Sequence, residues 1–267
     1  MRITSISEVP IEQIPFICAS SNNLGVAYSS LQVIIAQVDT LPEGIDAIIA
    51  TSDLQGVDVK SGRLLGHRVA EVLEILADRG TIPPKEATGI ILAGDLWAQT
   101  DRRGGEGDVR EVWGAMASRF RWVAGVGGNH DRFGDSPQDL EKFKATSNIY
   151  YLDGEIAEVD GMRLAGISGI IGKPSKPRRR TEKDFIKLIR QLVKSSPDIL
   201  ILHEGPNDAD GRLMGRESIR KALVRARDLV IICGHCHWKV PIAILPKRSS
   251  IVNVDGRAIV FKARRQY

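Results

Sequence analysis

Five short apolar runs in this sequence each end in a glycine-flanked cluster of aspartate, asparagine, glutamine or histidine, and this repeated pattern constrains the fold more than any other feature. The runs span residues 46–50, 89–93, 122–126, 198–202 and 229–232. Each has the length and composition of a buried strand. Because ligands of α/β proteins bind where strands end and loops begin, we expect the five clusters to converge at one edge of a sheet.

Amphipathic segments separate these runs. Residues 61–79 place Leu65, Val69 and Leu73 on one helical face, and Gly80 follows as a stop signal. The same periodicity predicts helices over 182–194 and 216–227. Strands that alternate with helices predict an α/β fold.

We expect one domain over 1–267, with a core over 44–267. Residues 1–43 fit the alternation poorly, so we treat them as an N-terminal extension to which the sequence assigns no role. Within it, 31–38 predicts a helix. Near the other end, 250–262 alternates like a hairpin around Asp255 and Gly256.

Composition and charge bear on the partners and the cellular compartment that we expect for the protein. The chain has 267 residues, a formal net charge of +4 and a pI near 9.0, which permits a nucleic-acid partner without requiring one. Three cysteines are too few for a disulfide framework, so a reducing compartment is expected. With no secretion signal and no apolar run long enough to cross a bilayer, we expect a cytoplasmic protein without a membrane partner. The oligomeric state stays open.

Four of the five histidines fall in the strand-end clusters. With the neighbouring carboxylates and amides they form a mixed oxygen and nitrogen donor set, which suits Mn, Fe, Zn, Co or Ni better than Ca. A carboxylate such as Asp95 has two oxygens and could bridge two divalent cations. The candidate metal ligands are Asp53, Gln55, Asp95, Asn129, His203, His235 and His237.

These clusters resemble, in order, the signature of the calcineurin-like metallophosphoesterases, which runs D-x-H, GD, GNH[DE], H and GHxH. The matching segments are Asp53-Leu54-Gln55, Gly94-Asp95, Gly128-Asn129-His130-Asp131, His203 and Gly234-His235-Cys236-His237. The resemblance covers residues 46–262 and implies a four-layer sandwich, in which two central β-sheets are flanked by α-helices. It also implies hydrolysis of a phosphomonoester or phosphodiester by a metal-bridging hydroxide.

The resemblance assigns roles to individual positions. It implies a first metal held by Asp53, Gln55, Asp95 and His237, and a second held by Asp95, Asn129, His203 and His235. The catalytic residues that it implies are His130 and Asp131, with His130 orienting the phosphate or protonating the leaving oxygen. Asn129, His130 and Arg132 are the expected contacts to a phosphorylated small molecule or nucleotide.

Two departures from the family pattern are informative. Gln55 stands where a histidine is usual, and its carbonyl oxygen is a weaker, harder donor than an imidazole. The GDxxDRG pattern of the protein phosphatases is absent after Asp95, which disfavours a protein substrate.

Other features of the sequence are consistent with different functions. Cys233 and Cys236 have the spacing of a redox motif, although the following His237 favours the metal motif. A catalytically inactive scaffold of the same fold would be consistent with Gln55, and a nuclease with the basic charge. The basic run 173–180 is expected to be an exposed loop that could grip a polyanion.

Overall fold

A computed structural model of the chain describes residues 1–20, 25–100, 104–208 and 210–263. The strands in these ranges are, in chain order, β1 (Ile3–Ile6), β2 (Glu12–Ala19), β3 (Val26–Val38), β4 (Ala47–Thr51), β5 (Val57–Asp58), β6 (Thr88–Leu92), β7 (Gly107–Asp108), β8 (Trp122–Gly125), β9 (Asp131–Arg132), β10 (Ile149–Tyr151), β11 (Glu155–Val159), β12 (Met162–Ile167), β13 (Ile170–Ile171), β14 (Arg179–Arg180), β15 (Ile199–Glu204), β16 (Val230–Gly234), β17 (Ile242–Ile244), β18 (Ser250–Asn253) and β19 (Arg257–Ala263).

The α-helices in the described ranges are α1 (Leu65–Asp78), α2 (Arg110–Ala117), α3 (Pro137–Lys144), α4 (Glu182–Lys194) and α5 (Glu217–Leu223), with a 3-10 turn at Lys85–Ala87. Three of these five, α1, α4 and α5, lie within the predicted amphipathic segments, whereas α2 and α3 were not predicted. Helix α4 has the predicted bounds, because Thr181 caps it by accepting a hydrogen bond from the Asp184 N–H at 3.2 Å. Within the described ranges, no helix combines the length and apolar character that a membrane crossing requires.

Two sheets form the centre of the fold. In the larger sheet the strand order is β10-β8-β6-β4-β19-β3-β2-β5, and β1 pairs with β3. In the smaller sheet the order is β11-β12-β15-β16-β18-β17. Strands β4, β6, β8 and β10 are mutually parallel, as are β12, β15, β16 and β18. Two short pairs, β13 with β14 and β7 with β9, lie outside both sheets.

Successive side chains of a strand point to opposite faces of its sheet, and the buried residues form three hydrophobic clusters. In β4, Ile48 and Ala50 join the cluster between the two sheets, whereas Ala47 and Ile49 join the cluster beneath helices α1 and α2. A third cluster fills the space between the smaller sheet and helices α4 and α5. Burying an Ile or Leu side chain stabilises the fold by about 1.5–3 kcal/mol. The order helices, sheet, sheet, helices confirms the expected α/β four-layer sandwich.

The helix predicted over 31–38 is wrong, because these residues form the second half of β3. Leu31 and Val33 pack toward the helices, whereas Ile34, Ala36 and Val38 pack between the sheets. Because β3 is covered on both faces, its apolar residues run nearly without interruption, and such a run carries no clear period. Residues 1–43 thus supply β1, β2 and β3 to the larger sheet.

The hairpin predicted over 250–262 is also wrong. Strand β18 pairs with β16 and β17 in the smaller sheet, whereas β19 lies between β3 and β4 in the larger one. Asp255 and Gly256 therefore carry the chain from one sheet to the other. Gly256 has a φ of 63°, so it supplies the left-handed residue expected of a turn, although the turn joins different sheets.

The basic run 173–180 is exposed only in part. Residues 173–177 are exposed, as predicted, but residues 178–180 are half-buried, and Arg179–Arg180 forms β14. Arg178 and Arg180 form ion pairs with Glu106 and Asp153, respectively.

Candidate metal centre

The predicted ligands meet where parallel strands of both sheets end. Asp53, Asp95 and Asn129 follow β4, β6 and β8 of the larger sheet. His203 lies near the end of β15 and His235 directly follows β16, both in the smaller sheet. Because the two sheets pack face to face with these strand ends adjacent, five loops that are distant in sequence form one site.

Close backbone approach explains the glycine that precedes Asp95. Gly94 has a φ of 91°, and a Cβ atom there would lie 2.5 Å from the Gly128 nitrogen and 2.8 Å from His203 Nδ1. Asp53, Asp95 and His235 also have positive φ values, of 53°, 55° and 67°. Positive φ in non-glycine residues is uncommon and is concentrated at functional sites.

Asp95 occupies the centre of the site. Its Oδ1 accepts a hydrogen bond from the His130 N–H at 2.9 Å, and its Oδ2 lies 3.2 Å from His203 Nε2. Burial raises the pKa of Asp95, but the neighbouring His203 and His130 outweigh this effect and lower it to about 2. The carboxylate is therefore ionised at neutral pH, as a metal ligand must be.

Two buried atoms of the predicted ligands make no well-formed hydrogen bond among the described residues, although one of them lies within ion-pair distance of Asp95. They are His203 Nε2 and Asn129 Oδ1. The other ring nitrogen of His203, Nδ1, donates to the Ala93 carbonyl at 2.8 Å, and this bond sets the tautomer and directs Nε2 toward Asp95. Leaving such buried atoms unpaired costs free energy, which a bound cation would offset. An imidazole nitrogen and an amide oxygen are both atoms that divalent transition metals bind as ligands. The residues therefore fit a metal centre.

Asp95, His203 and His235 form the tightest cluster of possible ligands. One donor atom from each lies within 4.8 Å of the others, and the rings of His203 and His235 are 5.0 Å apart. Burial and the charge of His203 lower the pKa of His235 to about 4, so its ring is neutral at pH 7. Burial lowers the pKa of His203, but Asp95 outweighs this and raises it to about 10. A cation would displace that proton on binding.

Three further predicted ligands, Asp53, Gln55 and His237, line a cavity of about 430 Å³ together with Asp95 and His235, whereas Asn129 is not part of its described lining. Burial and the negative charge of Asp255 raise the pKa of Asp53, whose Oδ2 accepts hydrogen bonds from the Ser52 hydroxyl at 2.6 Å and the His235 N–H at 2.9 Å. His237 is 60% exposed, and its Nδ1 lies 3.3 Å from Asp255 Oδ1. Gln55 directs its amide nitrogen, not its oxygen, to Asp95 Oδ2 at 3.2 Å.

His130 faces the same cavity without joining the ligand cluster. Its Nδ1 donates to the Gly105 carbonyl at 2.7 Å, which leaves Nε2 free to exchange a proton. Nε2 lies 3.9 Å from Asp95 Oδ2. This geometry places an oriented imidazole beside the metal centre.

Asp131 is fully buried and does not belong to the described residues that line the cavity. Its Oδ1 accepts backbone N–H bonds from Leu96 and Trp97, at 2.7 and 3.2 Å. Its Oδ2 accepts N–H bonds from Asp95 and Gly128, at 2.7 and 2.9 Å. Asp131 therefore fixes the two loops that carry Asp95 and Asn129, which is a positioning role.

Arg132, expected to contact substrate, also lies outside the described lining of the cavity. It belongs to β9, and its Nη2 lies 3.5 Å from Asp135 Oδ1. Trp97, by contrast, lines the cavity.

The redox interpretation of Cys233 and Cys236 receives no support from the structure. Cys233 is buried in β16 against the smaller sheet's helices, and burial raises the pKa of its thiol. A redox cysteine requires the opposite shift.

Sequence reasoning missed three contributors to this site. Phe16 and Cys18 of β2 form one wall of the cavity, and Asp255 lines it beside His237. The Asp255 and Gly256 pair was visible as a turn signal, but its position between the two sheets was not. Phe16 and Cys18 belong to residues 1–43, for which no role was predicted.

Comparisons with known proteins identify the family and the fold. The model of the calcineurin-like phosphoesterase family matches residues 47–239. Phosphopantetheinyl hydrolase from Mycobacterium tuberculosis superposes with a TM-score of 0.50 at 14% identity, covering 79% of this chain and 90% of that one, which shows a shared fold alone. A hypothetical protein from Thermus thermophilus gives a TM-score of 0.48 at 15% identity, covering 79% of this chain and 76% of that one.

Part of the sequence also matches a protein with a different name. Rat glutathione S-transferase alpha-1 is 31% identical over 97 residues, which are 30% of this chain. The chain spans 44% of the length of that curated relative, so the match transfers no activity.

Proposed function

Because this chain belongs to the calcineurin-like phosphoesterase family, whose members are metal-dependent hydrolases, we propose that it cleaves phosphomonoester or phosphodiester bonds at a two-metal site. The observation that carries the proposal is the cluster of Asp95, His203 and His235, whose donor atoms lie within 4.8 Å of one another, together with the buried Asn129 Oδ1, which has no hydrogen-bond partner among the described residues. Neutral histidine, amide oxygen and carboxylate are the donors that such a site requires.

In this proposal Asp95, Asn129, His203 and His235 hold one cation, termed the buried subsite. Asp53, Asp95 and His237 contribute to the other, termed the open subsite, which Gln55 adjoins. Two divalent cations, when bound, supply positive charge to the phosphate oxygens and a hydroxide at neutral pH. Mn, Fe, Zn, Co and Ni are all compatible with these donors.

His130 supplies the proton chemistry. Because Nδ1–H donates to the Gly105 carbonyl, Nε2 can bind the phosphate or carry a proton to the leaving oxygen. Asp131 keeps the loops of Asp95 and Asn129 at a fixed separation, through four backbone N–H bonds. The ligand set is thus held rigidly before substrate binds.

The cavity favours a phosphorylated small molecule or nucleotide as substrate. Its volume of about 430 Å³ suits a small ligand, and Phe16 and Trp97 offer aromatic surface in its wall. Two arginines of the basic loop, Arg178 and Arg180, already pair with Glu106 and Asp153, so they offer less charge to a nucleic acid. We therefore rank a nuclease as the second candidate function.

The experiment is hydrolysis of 4-nitrophenyl phosphate and bis-4-nitrophenyl phosphate by protein stripped of metal and then supplied with Mn, Mg, Zn, Co or Ni. We expect metal-dependent turnover that Asp95→Asn and His235→Ala abolish. His67→Gln, which alters the histidine on α1, is the matched control and should retain activity. A folded protein that turns over neither ester with any of these metals would favour the inactive scaffold.

A further inference from the structure

We propose that Asp255 is a ligand of the open subsite and that Gln55 is not. The chain thereby replaces the imidazole that the family motif places at position 55 with a carboxylate from the loop between β18 and β19. This inference rests on the proposed function for the presence of two cations, and it assigns a ligand outside the five motifs.

Gln55 is engaged as a hydrogen-bond donor. Its Nε2 lies 3.2 Å from Asp95 Oδ2, the carboxylate oxygen nearest His203 Nε2. An amide NH₂ group has no lone pair to offer a cation. Turning the amide would bring its oxygen toward a carboxylate oxygen and lose this bond. The side chain is therefore suited to holding Asp95 in place.

The backbone fixes Asp255 beside Asp53. Asp255 forms an isolated parallel bridge with Ser52, and the Gly256 N–H donates to the Ser52 carbonyl at 3.2 Å. Asn253 ties the same loop to the last histidine motif, since its Nδ2 donates to the Cys236 carbonyl at 2.8 Å. These bonds hold the Asp255 loop against the loops of two predicted ligands, Asp53 and His237.

Asp255 shares a cavity with the residues of the open subsite. These are Asp53, Asp95 and His237, and the Asp255 side chain is 17% exposed. Among the described residues, its carboxylate has one hydrogen-bonding neighbour, His237 Nδ1 at 3.3 Å. Three carboxylates therefore share a cavity, an arrangement that is unfavourable without a cation between them.

The nearby arginine does not neutralise this carboxylate directly. Arg257 Nη2 donates to the Trp238 carbonyl at 2.5 Å, and its Nε donates to the Asp255 main-chain oxygen at 3.3 Å. Nη2 also lies 3.2 Å from His237 Nε2. Its contacts go to backbone oxygens and to the ring, which leaves the Asp255 carboxylate available to a metal.

The donor set that results differs between the two subsites. The open subsite has three carboxylates, from Asp53, Asp95 and Asp255, with the single imidazole of His237. The buried subsite has two imidazoles. Hard oxygen donors favour Mn²⁺ over Zn²⁺, whereas imidazoles suit Zn²⁺, so the two subsites should differ in metal preference.

The test compares Asp255→Asn with Gln55→Ala in full-length protein stripped of metal and reloaded with Mn²⁺. Metal content is measured by mass spectrometry and affinity by titration calorimetry. We expect two Mn²⁺ per chain in the wild type and in Gln55→Ala. We expect Asp255→Asn to keep one and to bind the second at least about 10-fold more weakly.

The Asp255→Asn change keeps the shape of the side chain and an oxygen that can accept from His237, so it separates ligation from orientation of that ring. The Mn²⁺ retained at the buried subsite reports that the variant is folded. Two tightly bound Mn²⁺ in Asp255→Asn, loss of one in Gln55→Ala, or fewer than two in the wild type would each overturn the inference. Absence of ester hydrolysis with two Mn²⁺ bound would instead count against the proposed function.

Discussion

Arg178 Nη2 donates a hydrogen bond to Glu106 Oε2 at 2.6 Å, across 72 residues of sequence. Glu106 follows Gly105, whose carbonyl accepts from His130 Nδ1 at 2.7 Å. The same guanidinium lies 3.5 Å from the Asn129 carbonyl. The basic loop thus braces the segment that orients the imidazole beside the metal centre.

Arg178→Ala should reduce turnover without reducing metal content. Loss of the Glu106 contact frees the loop of Gly105, and a misplaced His130 is expected to lower kcat by about 10-fold. Steady-state kinetics together with metal analysis measures both quantities. Arg179→Ala is the matched control, since the Arg179 guanidinium contacts only the nearby Pro177 carbonyl among the hydrogen bonds of the described residues. Equal effects of the two changes would argue against the bracing role.

His130→Gln should lower kcat most for esters with poor leaving groups. Loss of a general acid costs about 10²- to 10⁴-fold in rate, and an alkoxide needs that proton more than 4-nitrophenolate does. The measurement compares an alkyl phosphate with 4-nitrophenyl phosphate, at unchanged metal content. Arg132→Ala, outside the cavity, should behave like the wild type. A uniform loss on both esters would show that His130 binds phosphate and transfers no proton.

Asp131→Asn should destabilise the protein. Each carboxylate oxygen of Asp131 accepts two backbone N–H bonds, so either orientation of an amide would direct its NH₂ group at two donors. We expect the free energy of unfolding to fall by about 2–4 kcal/mol. Urea denaturation checks this, with the exposed Asp135→Asn as control. A loss below about 0.5 kcal/mol, typical of surface changes, would contradict the role given to Asp131.

His67 should make the protein less stable toward acid. The ring is buried on α1, and Arg63 Nη2 lies 2.8 Å from its Nδ1. Burial and the charge of Arg63 lower its pKa, although Glu71 and Glu111 oppose this and Arg119 adds to it. In the unfolded chain the pKa is about 6.5. As pH falls below that value, the unfolded state binds more protons, so stability is complete above it and declines toward the folded pKa.

The corresponding measurement is urea denaturation from pH 5 to pH 8 in the presence of a chelator, for wild type and His67→Gln. The wild type should lose up to about 1.4 kcal/mol per pH unit more than the variant over this interval. Gln can still accept from Arg63, which makes the variant a conservative one. Parallel stability curves would show that His67 does not titrate on unfolding.

The cluster of Asp95, His203 and His235 was predictable because each of these residues lies at the end of an apolar run, which is a local signal. Asp95 and His235 directly follow apolar runs and are preceded by glycine, and parallel strands bring such positions together. The helices α1 and α4 were predictable for the same reason, since a period of 3.6 residues is visible within the segment itself.

The features that the sequence did not predict depend on contacts between segments that are distant along the chain. The strand β3 carries no period because β2 and β19 flank it and both of its faces are covered. Asp255 joins the site only because its loop crosses from one sheet to the other. The partner of His130 is a main-chain carbonyl, at Gly105, which no side-chain pattern records.

The position of β19 determines the order in which the strands of the larger sheet can pair. This strand lies between β3 and β4, so Ile259 pairs with Ile34 on one side and Ala50 on the other. During synthesis the ribosome must release residues 257–263 before the first three strands can join the rest of their sheet. Such long-range pairing folds slowly. The candidate ligand Asp53, which directly follows β4 and Ser52, therefore lies beside an incomplete sheet until residues 257–263 have been made.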